Sequence, residues 1–294
     1  MKIVAIFGKE INHQFKDDIL FLLSYLKECE VEIQIHKKYL SKLKDEFEID
    51  LAHVMPFSST KNRNEKPELL ISIGGDGTFL DSILMLKGVD IPVLGINTGR
   101  LGFLARVSSD KIKESIDNWL AGNFKIENRS LLEVHTENEL FGKKNFALNE
   151  VTIHKNDNAS MIIIHTYVNG EFLNSYWADG LIVSTPTGST AYSLSVGGPI
   201  VAPGSNNIII SPVAPHNLNV RPIVISDDSE ITLKIEGRTD KSLISMDSRV
   251  QRIDSAIEIT IKKAPYLVNL IQFPTQTFFK TLRHKLNWGL DKRN

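Results

Sequence analysis

Ile71-Ser72-Ile73-Gly74-Gly75-Asp76-Gly77-Thr78-Phe79-Leu80 is the stretch that decides the fold. The compact apolar run Leu69–Ile73 predicts a buried β-strand, and the spacing of apolar residues over Thr78–Leu86 predicts a helix. Three glycines between them allow positive φ angles and let a ligand approach the backbone closely. A strand that turns sharply into a helix is typical of a parallel sheet, where ligands bind at the carboxyl ends of the strands.

The turn Gly74–Thr78 indicates a phosphate site, because the first N–H groups of a helix and the helix dipole favour an anion. Asp76 would repel a phosphate unless its carboxylate has a task. It could hold Mg²⁺ or accept the proton of an attacking hydroxyl; the plainer alternative is that aspartate favours a tight turn. The segment lacks both G-x-G-x-x-G and the Gly-Lys-Ser/Thr of a P-loop, which argues against a Rossmann dehydrogenase and a P-loop ATPase.

Strand and helix patterns alternate on both sides of this turn. Strands are predicted at Lys2–Phe7, Val31–Ile35 and Ile91–Ile96, and helices at Phe15–Glu28 and Ser108–Leu120. We therefore predict an N-terminal α/β domain over residues 1–122, with a Rossmann-like parallel sheet. A further helix, predicted over Thr275–Leu290, is expected to pack back on this domain, which would then include residues 273–294.

The pattern changes after residue 122 to short runs of alternating apolar and polar residues. The runs are Leu131–His135, Phe146–Ile153, Met161–Val168, Leu181–Ser184, Asn207–Ile210, Ile231–Ile235 and Ile257–Ile261. Turn residues such as Asn169-Gly170 separate them. This spacing predicts an all-β, sandwich-like C-terminal domain over residues 123–272.

The composition of the 294 residues narrows the functional class. Lys and Arg number 34 against 35 Asp and Glu, and no basic stripe is visible, so we expect no nucleic-acid partner. Cys29 is the only cysteine, which excludes a disulfide within the chain. Apolar runs are too short to span a bilayer, so we expect no membrane partner and a cytoplasmic location.

Two further segments carry functional residue types. Asp179-Gly180-Leu181-Ile182-Val183-Ser184-Thr185-Pro186-Thr187-Gly188-Ser189-Thr190-Ala191-Tyr192-Ser193 is rich in hydroxyl groups, and Tyr192 offers a flat face. Such a loop suits adenine or ribose, although a Ser/Thr-rich surface loop is the alternative. Asn149-Glu150 interrupts an apolar strand. The pair either recognises ribose hydroxyls or marks a strand end.

The Gly-rich turn, the Asn149-Glu150 pair and the 179–193 loop occur in the order found in the NAD kinases, which this chain resembles. Further matching segments are Gly95–Leu104, Pro215–Pro222 and Ser245–Ser248. The resemblance extends over Lys2–Phe273, and the Thr-Pro-Thr-Gly-Ser-Thr-Ala-Tyr run is highly specific. Phosphofructokinases and lipid kinases share a similar Gly-rich turn but lack this second match.

The resemblance implies that ATP phosphorylates the 2′-hydroxyl of the adenosine ribose of NAD to give NADP. Asp76 would be the catalytic residue, as the base for the hydroxyl or as the group that orients it. Mg²⁺ or another divalent cation would accompany ATP without direct protein ligands, Asp76 being the possible exception. Residues implied to hold the ATP phosphates are Gly74, Gly75, Gly77 and Thr78. Residues implied to bind NAD are Asp76, Gly77, Asn149, Glu150, Asp179, Thr187, Thr190, Ala191, Tyr192, Ser193 and His216.

One position departs from the family pattern. Members often carry a basic residue two positions before the aspartate of the second signature, where this chain has Trp177. Trp177 either stacks on the ligand or packs in the core, and packing in the core is the more common outcome for a tryptophan. The resemblance also implies a homo-oligomer, either a dimer or a tetramer.

Two alternative functions stay open on the sequence. A lipid kinase of the diacylglycerol or sphingosine type would share the Gly-rich turn, although the polar 179–193 loop argues against an apolar chain as substrate. A non-catalytic NAD(P) sensor would share the fold but would not require the carboxylate of Asp76.

Overall fold

A computed structural model describes residues 1–47, 51–58, 66–86, 88–99, 101–156, 161–236, 241–254 and 257–288. The chain divides into two compact units, Met1–Asn128 with Val268–Asn294, and Arg129–Leu267. In the described residues, no helix is both long enough and apolar enough to cross a membrane. The sequence predicts two functional domains, residues 1–122 with 273–294 and residues 123–272. Their assignment to separate functions stays a prediction.

The first unit is a seven-stranded sheet with helices. Its strands are β1 (Ile3–Gly8), β2 (Glu32–His36), β3 (Met55–Phe57), β4 (Leu69–Ile73), β5 (Val93–Ile96), β6 (Lys125–Arg129) and β19 (Val268–Gln272). Its α-helices are α1 (Lys16–Glu28), α2 (Lys37–Glu46), α3 (Asp76–Ile83), α4 (Ile112–Leu120) and α6 (Phe278–Leu286), with 3₁₀ turns at His13–Phe15 and Ser109–Lys111.

The strand order of this sheet is β3-β2-β1-β4-β5-β19-β6. Strand β1 pairs in parallel with β2 and with β4, and β4 pairs in parallel with β5. The order 3-2-1-4-5 reverses direction between β1 and β4, and α/β sheets bind ligands at such a switch point. The predicted Rossmann-like parallel sheet is therefore confirmed, and the Gly-rich turn follows β4 at the switch point.

The second unit contains two antiparallel sheets. Its strands are β7 (Leu132–His135), β8 (Phe146–Ala147), β9 (Glu150–Lys155), β10 (Ile162–Val168), β11 (Glu171–Ala178), β12 (Gly180–Ser184), β13 (Asn207–Val213), β14 (Ile223–Ser226), β15 (Ile231–Glu236), β16 (Lys241–Met246), β17 (Arg249–Asp254) and β18 (Glu258–Lys263). A short helix, α5 (Tyr192–Ser195), and 3₁₀ turns at Gly142–Lys144 and Gly188–Thr190 complete it.

The two sheets of this unit run β11-β10-β15-β18-β7-β8 and β14-β13-β12-β9-β16-β17. One buried cluster takes residues from both, for example Ile164 and Leu233 from the first sheet and Ile153 and Leu181 from the second. Two antiparallel sheets that share one apolar core form a sandwich. The predicted all-β, sandwich-like architecture is therefore confirmed.

Candidate active site

The Gly-rich turn leaves a fully buried strand and enters α3 directly. Gly74 has a φ angle of 145°, and a Cβ atom there would lie 2.5 Å from Oγ1 of Thr78. Glycine is therefore required at this position. Gly75 is the N-cap of α3, and among the described residues no side chain caps the helix. The first N–H groups of α3 consequently remain free to bind an anion.

The carboxylate of Asp76, the first residue of α3, accepts three backbone N–H groups. Oδ2 accepts from Phe103 at 2.9 Å, and Oδ1 accepts from Leu104 at 3.0 Å and Ala105 at 2.9 Å. A carboxylate offers about four lone-pair sites, so this arrangement fixes its orientation and leaves room for a further partner. Nζ of Lys285 lies 3.8 Å from Oδ2.

Gly102 lets the carboxylate approach this turn. A Cβ atom on Gly102 would lie 1.9 Å from Oδ1 of Asp76, so any other residue would displace the carboxylate. The Asp76 side chain nevertheless keeps 29% of its surface exposed. A substrate hydroxyl can therefore reach it. Arg100, within the matching segment Gly95–Leu104, lies outside the described residues.

Asn149 and Glu150 stand at the start of β9 in the second unit, and Asp247 fixes their backbone. The Asp247 carboxylate accepts N–H groups from Leu148 at 3.0 Å, Asn149 at 2.8 Å and Glu150 at 3.3 Å. Its own N–H donates to the Glu150 carbonyl. Burial raises the pKa of Asp247, and these N–H groups oppose that shift. Asp247, which is 97 or more residues away in the sequence, thereby holds the backbone of Asn149 and Glu150 in place.

The carboxyl group of Glu150 has a strongly raised pKa. Burial, and then the neighbouring Asp247 carboxylate, raise its pKa to about 8, although the backbone N–H of Tyr192 opposes the shift. Within the described part of the chain, its Oε2 is buried and has no hydrogen-bond partner. At neutral pH the side chain is therefore mostly protonated, so it can donate a hydrogen bond as well as accept one.

The loop that follows β12 is tied to the Asn149-Glu150 segment. The hydroxyl of Thr185 donates to the Leu148 carbonyl at 2.6 Å, and the N–H of Thr185 donates to the Asn149 carbonyl. A Cβ atom on Gly188 would lie 2.2 Å from the Asn149 carbonyl oxygen. The structure thus brings the two predicted segments of the second unit together.

The hydroxyl groups of this loop divide into two sets. Thr187 and Ser193 are buried: Oγ1 of Thr187 accepts from Arg129 at 3.1 Å, and Oγ of Ser193 lies 3.1 Å from Oγ of Ser211. Their side chains hold the loop in shape. Thr190 and Tyr192 are partly exposed or exposed, so they, together with the backbone of Ala191, are accessible to a ligand.

Two residues that the sequence reasoning missed contact predicted site residues: His154 contacts Tyr192, and Lys155 contacts Asp179. The Tyr192 hydroxyl is 2.9 Å from Nε2 of His154, and the two rings stack at 5.9 Å with an interplanar angle of 7°. Burial lowers the pKa of His154, so the ring is neutral and suited to stacking. Asp179 forms an ion pair with Lys155 at 2.7 Å. His154 and Lys155 are the last two residues of β9. The alternation of apolar and polar residues in the sequence could not show which loop their side chains face.

His216 and Trp177 lie on the surface of the second unit. His216 is exposed, and its N–H donates to the Trp177 carbonyl at 2.8 Å. The favoured interpretation, that Trp177 packs in the core, was wrong, because its side chain is 54% exposed. Strand β11 is an edge strand, and Trp177 points away from the core between the buried residues Tyr176 and Ala178.

The ion pair of Asp179 gives a first prediction. If Asp179 has the role in dinucleotide binding that the resemblance implies, replacing Lys155 by methionine is expected to raise the KM for the dinucleotide several-fold, because Asp179 then loses the partner that orients it. Stability should fall by only about 0–1 kcal/mol, since the pair is partly exposed. Steady-state kinetics and thermal unfolding measure both effects. Lys234→Met, which removes a similar pair with Glu258 in the same unit, is the matched control. Equal KM values in the two variants would contradict the role of Lys155 in orienting Asp179.

Two family descriptions match the chain. "ATP-NAD kinase N-terminal domain" covers residues 23–124, and "ATP-NAD kinase C-terminal domain" covers residues 148–273. The NAD kinase of Cytophaga hutchinsonii is 46% identical over 288 residues, which are 95% of this chain and 97% of that protein. The NAD kinase of Flavobacterium psychrophilum is 46% identical over 293 residues, 99% of each chain.

Solved structures agree with these relatives. Yeast NADH kinase complexed with NADH has a TM-score of 0.87 and 25% identity, covering 99% of this chain and 89% of that one. An NAD kinase from Archaeoglobus fulgidus in complex with ATP has a TM-score of 0.75 and 26% identity, covering 98% and 99%. The fold and site define a phosphotransferase with an alcohol acceptor. The chain belongs to the NAD kinase family, which confirms the predicted resemblance.

Proposed function

We propose that this protein transfers the γ-phosphate of ATP to the 2′-hydroxyl of the adenosine ribose of NAD and releases NADP and ADP. The observation that carries the proposal is the Asp76 carboxylate, held by three backbone N–H groups beside an uncapped helix start. Phosphoryl transfer to a hydroxyl needs a proton acceptor next to the phosphate site, and the Asp76 carboxylate lies next to the proposed phosphate site. The names of the relatives support the choice of ATP and NAD.

Residues of the first unit perform the chemistry in this proposal. Gly74, Gly75, Gly77 and Thr78 bind the ATP phosphates through the turn and the start of α3. Asp76 accepts the proton as the ribose oxygen forms its bond to the γ-phosphorus and the bond to ADP breaks. Because its carboxylate is already oriented, little reorganisation accompanies the transfer.

Residues of the second unit bind NAD in this proposal. Asn149 and Glu150 contact ribose, Asp179 contacts the nicotinamide end, and the loop around Tyr192 holds adenine. The full set with the residues of the first unit is Asp76, Gly77, Asn149, Glu150, Asp179, Thr187, Thr190, Ala191, Tyr192, Ser193 and His216. Of these, Thr187 and Ser193 act by shaping the loop, because their side chains are buried.

A divalent cation, Mg²⁺ or another, accompanies ATP in the proposed reaction. The described residues contain no group of three His, Cys, Asp or Glu side chains arranged to hold a metal. Asp76 is the carboxylate nearest the phosphate turn, and three N–H groups already occupy most of its lone pairs. The residues present therefore fit a cation held chiefly by the ATP phosphates and water, as Mg²⁺ prefers; it would neutralise the phosphate charge.

The assembly and location of the protein are further parts of the proposal. We infer a homo-oligomer, a dimer or a tetramer, and a location in the cytoplasm. We also infer functional domains over 1–122 with 273–294, for ATP phosphates, and over 123–272, for the dinucleotide. Light scattering of the purified protein measures the oligomeric state directly.

The test of the function is an assay of the purified protein with ATP, Mg²⁺ and NAD, read out by an NADP-specific coupled enzyme. We expect NADP to form in proportion to enzyme and to depend on both ATP and Mg²⁺. Parallel reactions with NADH and with polyphosphate define the acceptor and the donor. Phosphorylation of diacylglycerol or sphingosine instead of NAD would support a lipid kinase, and NAD binding without turnover would support a sensor.

A further inference from the structure

The first unit contains a cavity of about 400 Å³ that the proposed reaction does not use. It is bounded by α4, by the segment around Leu101–Ser108 and by the chain from Phe273 into α6. None of the residues Gly74–Thr78 lines it. Its volume falls within the range of small-molecule sites in proteins.

Arg106 is the polar residue of this cavity with the most unusual surroundings. It is only 6% exposed, its Nε donates to the Phe103 carbonyl at 2.8 Å, and its Nη1 pairs with Glu127 at 2.8 Å. Its Nη2 is buried and has no hydrogen-bond partner among the described residues. A buried cationic donor without an acceptor is costly, so an anion that accepts from it would offset part of that cost.

The other charged residues of the lining are Lys280 and an ion pair between Lys111 and Glu114, whose charges cancel at 3.0 Å. Lys280 and His284 line the cavity from α6, and in the described part of the chain Lys280 forms no ion pair with a carboxylate. Among the described residues, Nζ of Lys280 donates to the Thr275 carbonyl alone, at 3.3 Å. Leu101 and Phe273 add apolar surface. Cations beside an apolar wall favour an organic anion with one carboxylate or phosphate group and an apolar body.

The cavity is connected to Asp76 through two elements. Arg106 donates to the carbonyl of Phe103, whose N–H donates to the Asp76 carboxylate. Helix α6 lines the cavity with Lys280 and places Lys285 3.8 Å from the same carboxylate. A ligand in the cavity therefore contacts both of the elements that surround Asp76.

We propose that this cavity is an effector site for a small organic anion, with the carboxylate or phosphate against Arg106 and Lys280 and the apolar body against Leu101 and Phe273. Occupancy changes the position of the Phe103 turn and of α6, and so changes the rate of phosphoryl transfer. The effect on rate rests on the proposed function; binding does not.

Binding is tested with benzoate and phenyl phosphate as probes and with benzyl alcohol as the neutral counterpart, by ligand-observed NMR titration of the full chain. For ligands of this size we expect a Kd of about 1 mM for at least one anion. Benzyl alcohol should bind at least about tenfold more weakly, since a charge-assisted hydrogen bond is worth that much or more. Comparison of the two anions distinguishes carboxylate from phosphate.

Two variants locate the site, and a third is the matched control. Lys280→Gln should weaken binding about threefold to tenfold, and Ser115→Met, which fills the cavity without touching a charge, should abolish it. Arg283→Gln removes the same charge from α6 at a residue that does not line the cavity, so binding should stay within about twofold. Identical affinities in all of these variants, or equal binding of benzyl alcohol, would overturn the site.

The rate effect is measured in the NADP-forming assay with and without the bound probe. We expect kcat to change about twofold or more at a saturating probe concentration in the parent protein, and not in Ser115→Met. Absence of saturable binding overturns the site, and binding without a change in rate overturns the effector role. NADP formation without any probe is measured first, so that failure of the proposed function is recognised separately.

Discussion

Replacing Asp76 by asparagine is expected to lower kcat for NADP formation by about 10²–10⁴-fold, the usual contribution of a general base. The amide has nearly the shape of the carboxylate but cannot take the proton of the ribose hydroxyl. The Kd for NAD should change by less than about threefold, because the group acts mainly in the transition state. Single-turnover NADP formation and equilibrium NAD binding measure the two quantities, and near-normal turnover would contradict the role.

The same substitution has a structural effect that must be separated from the chemical one. The asparagine oxygen can still accept from Leu104 and Ala105, but its NH₂ group then faces the N–H of Phe103. Loss of that hydrogen bond should destabilise the first unit by about 1–3 kcal/mol. Thermal unfolding measures this cost without reference to activity.

Asp247→Asn is the matched control for Asp76→Asn. Asp247 also accepts three backbone N–H groups through its carboxylate, so its loss carries a similar structural cost. It has no proposed role in proton transfer, but it fixes Asn149 and Glu150. We expect a raised KM for NAD with a much smaller fall in kcat. A loss of kcat equal to that of Asp76→Asn would show that both aspartates act only by holding the backbone.

The parts of the fold that the sequence predicted are those with a strong local signal. The apolar run Leu69–Ile73 is short and ends at glycines, which favours a buried strand over a helix. The helix after it begins at Asp76, two residues before the predicted start. Helix α1 has four apolar residues at helical spacing. Helix α2 was missed, because it is rich in lysine and only Tyr39, Leu40 and Leu43 of its residues are buried.

The strands of the sandwich show the same dependence on local signal. Central strands such as β12 and β13 are buried along their length and were predicted. Edge strands such as β11, β14 and β17 expose much of their length and carry no continuous apolar pattern. The orientation of Trp177 follows from such an edge, which is why the sequence could not place it.

The candidate site was predictable as a set of motifs but not as a set of contacts. The glycines and Asp76 were predictable because a turn of this composition between a strand and a helix is unusual. The bond between Asp76 and the Phe103–Ala105 backbone joins two turns that follow neighbouring strands, and the bond between Asp247 and Asn149 joins residues 98 apart. Such contacts depend on which strands become neighbours, and no local pattern encodes that choice.

Glu150→Gln is expected to reduce the pH dependence of the stability of the second unit between pH 5 and pH 9. The folded protein raises the pKa of Glu150 from 4.5 to about 8, chiefly because burial disfavours its charged form. A raised carboxyl pKa means that the folded state holds the proton more tightly. Its stability is therefore undiminished below about pH 4.5, falls as the pH rises towards 8, and stays low above that. The full shift corresponds to about 5 kcal/mol.

Glutamine has the shape of the protonated carboxyl group and cannot ionise, so the variant should be about as stable as the parent at pH 5 and more stable by several kcal/mol at pH 9. Urea unfolding of the ligand-free protein across this range measures the difference. Glu171→Gln, at an exposed glutamate of β11, controls for the loss of one charge. Parallel pH profiles for the parent and Glu150→Gln would show that Glu150 is ionised in the folded protein. In that case it would meet the ribose hydroxyls as an acceptor alone. A flatter profile for the variant than for the parent identifies the neutral carboxyl group, which can donate and accept, as the form that the folded protein holds at neutral pH.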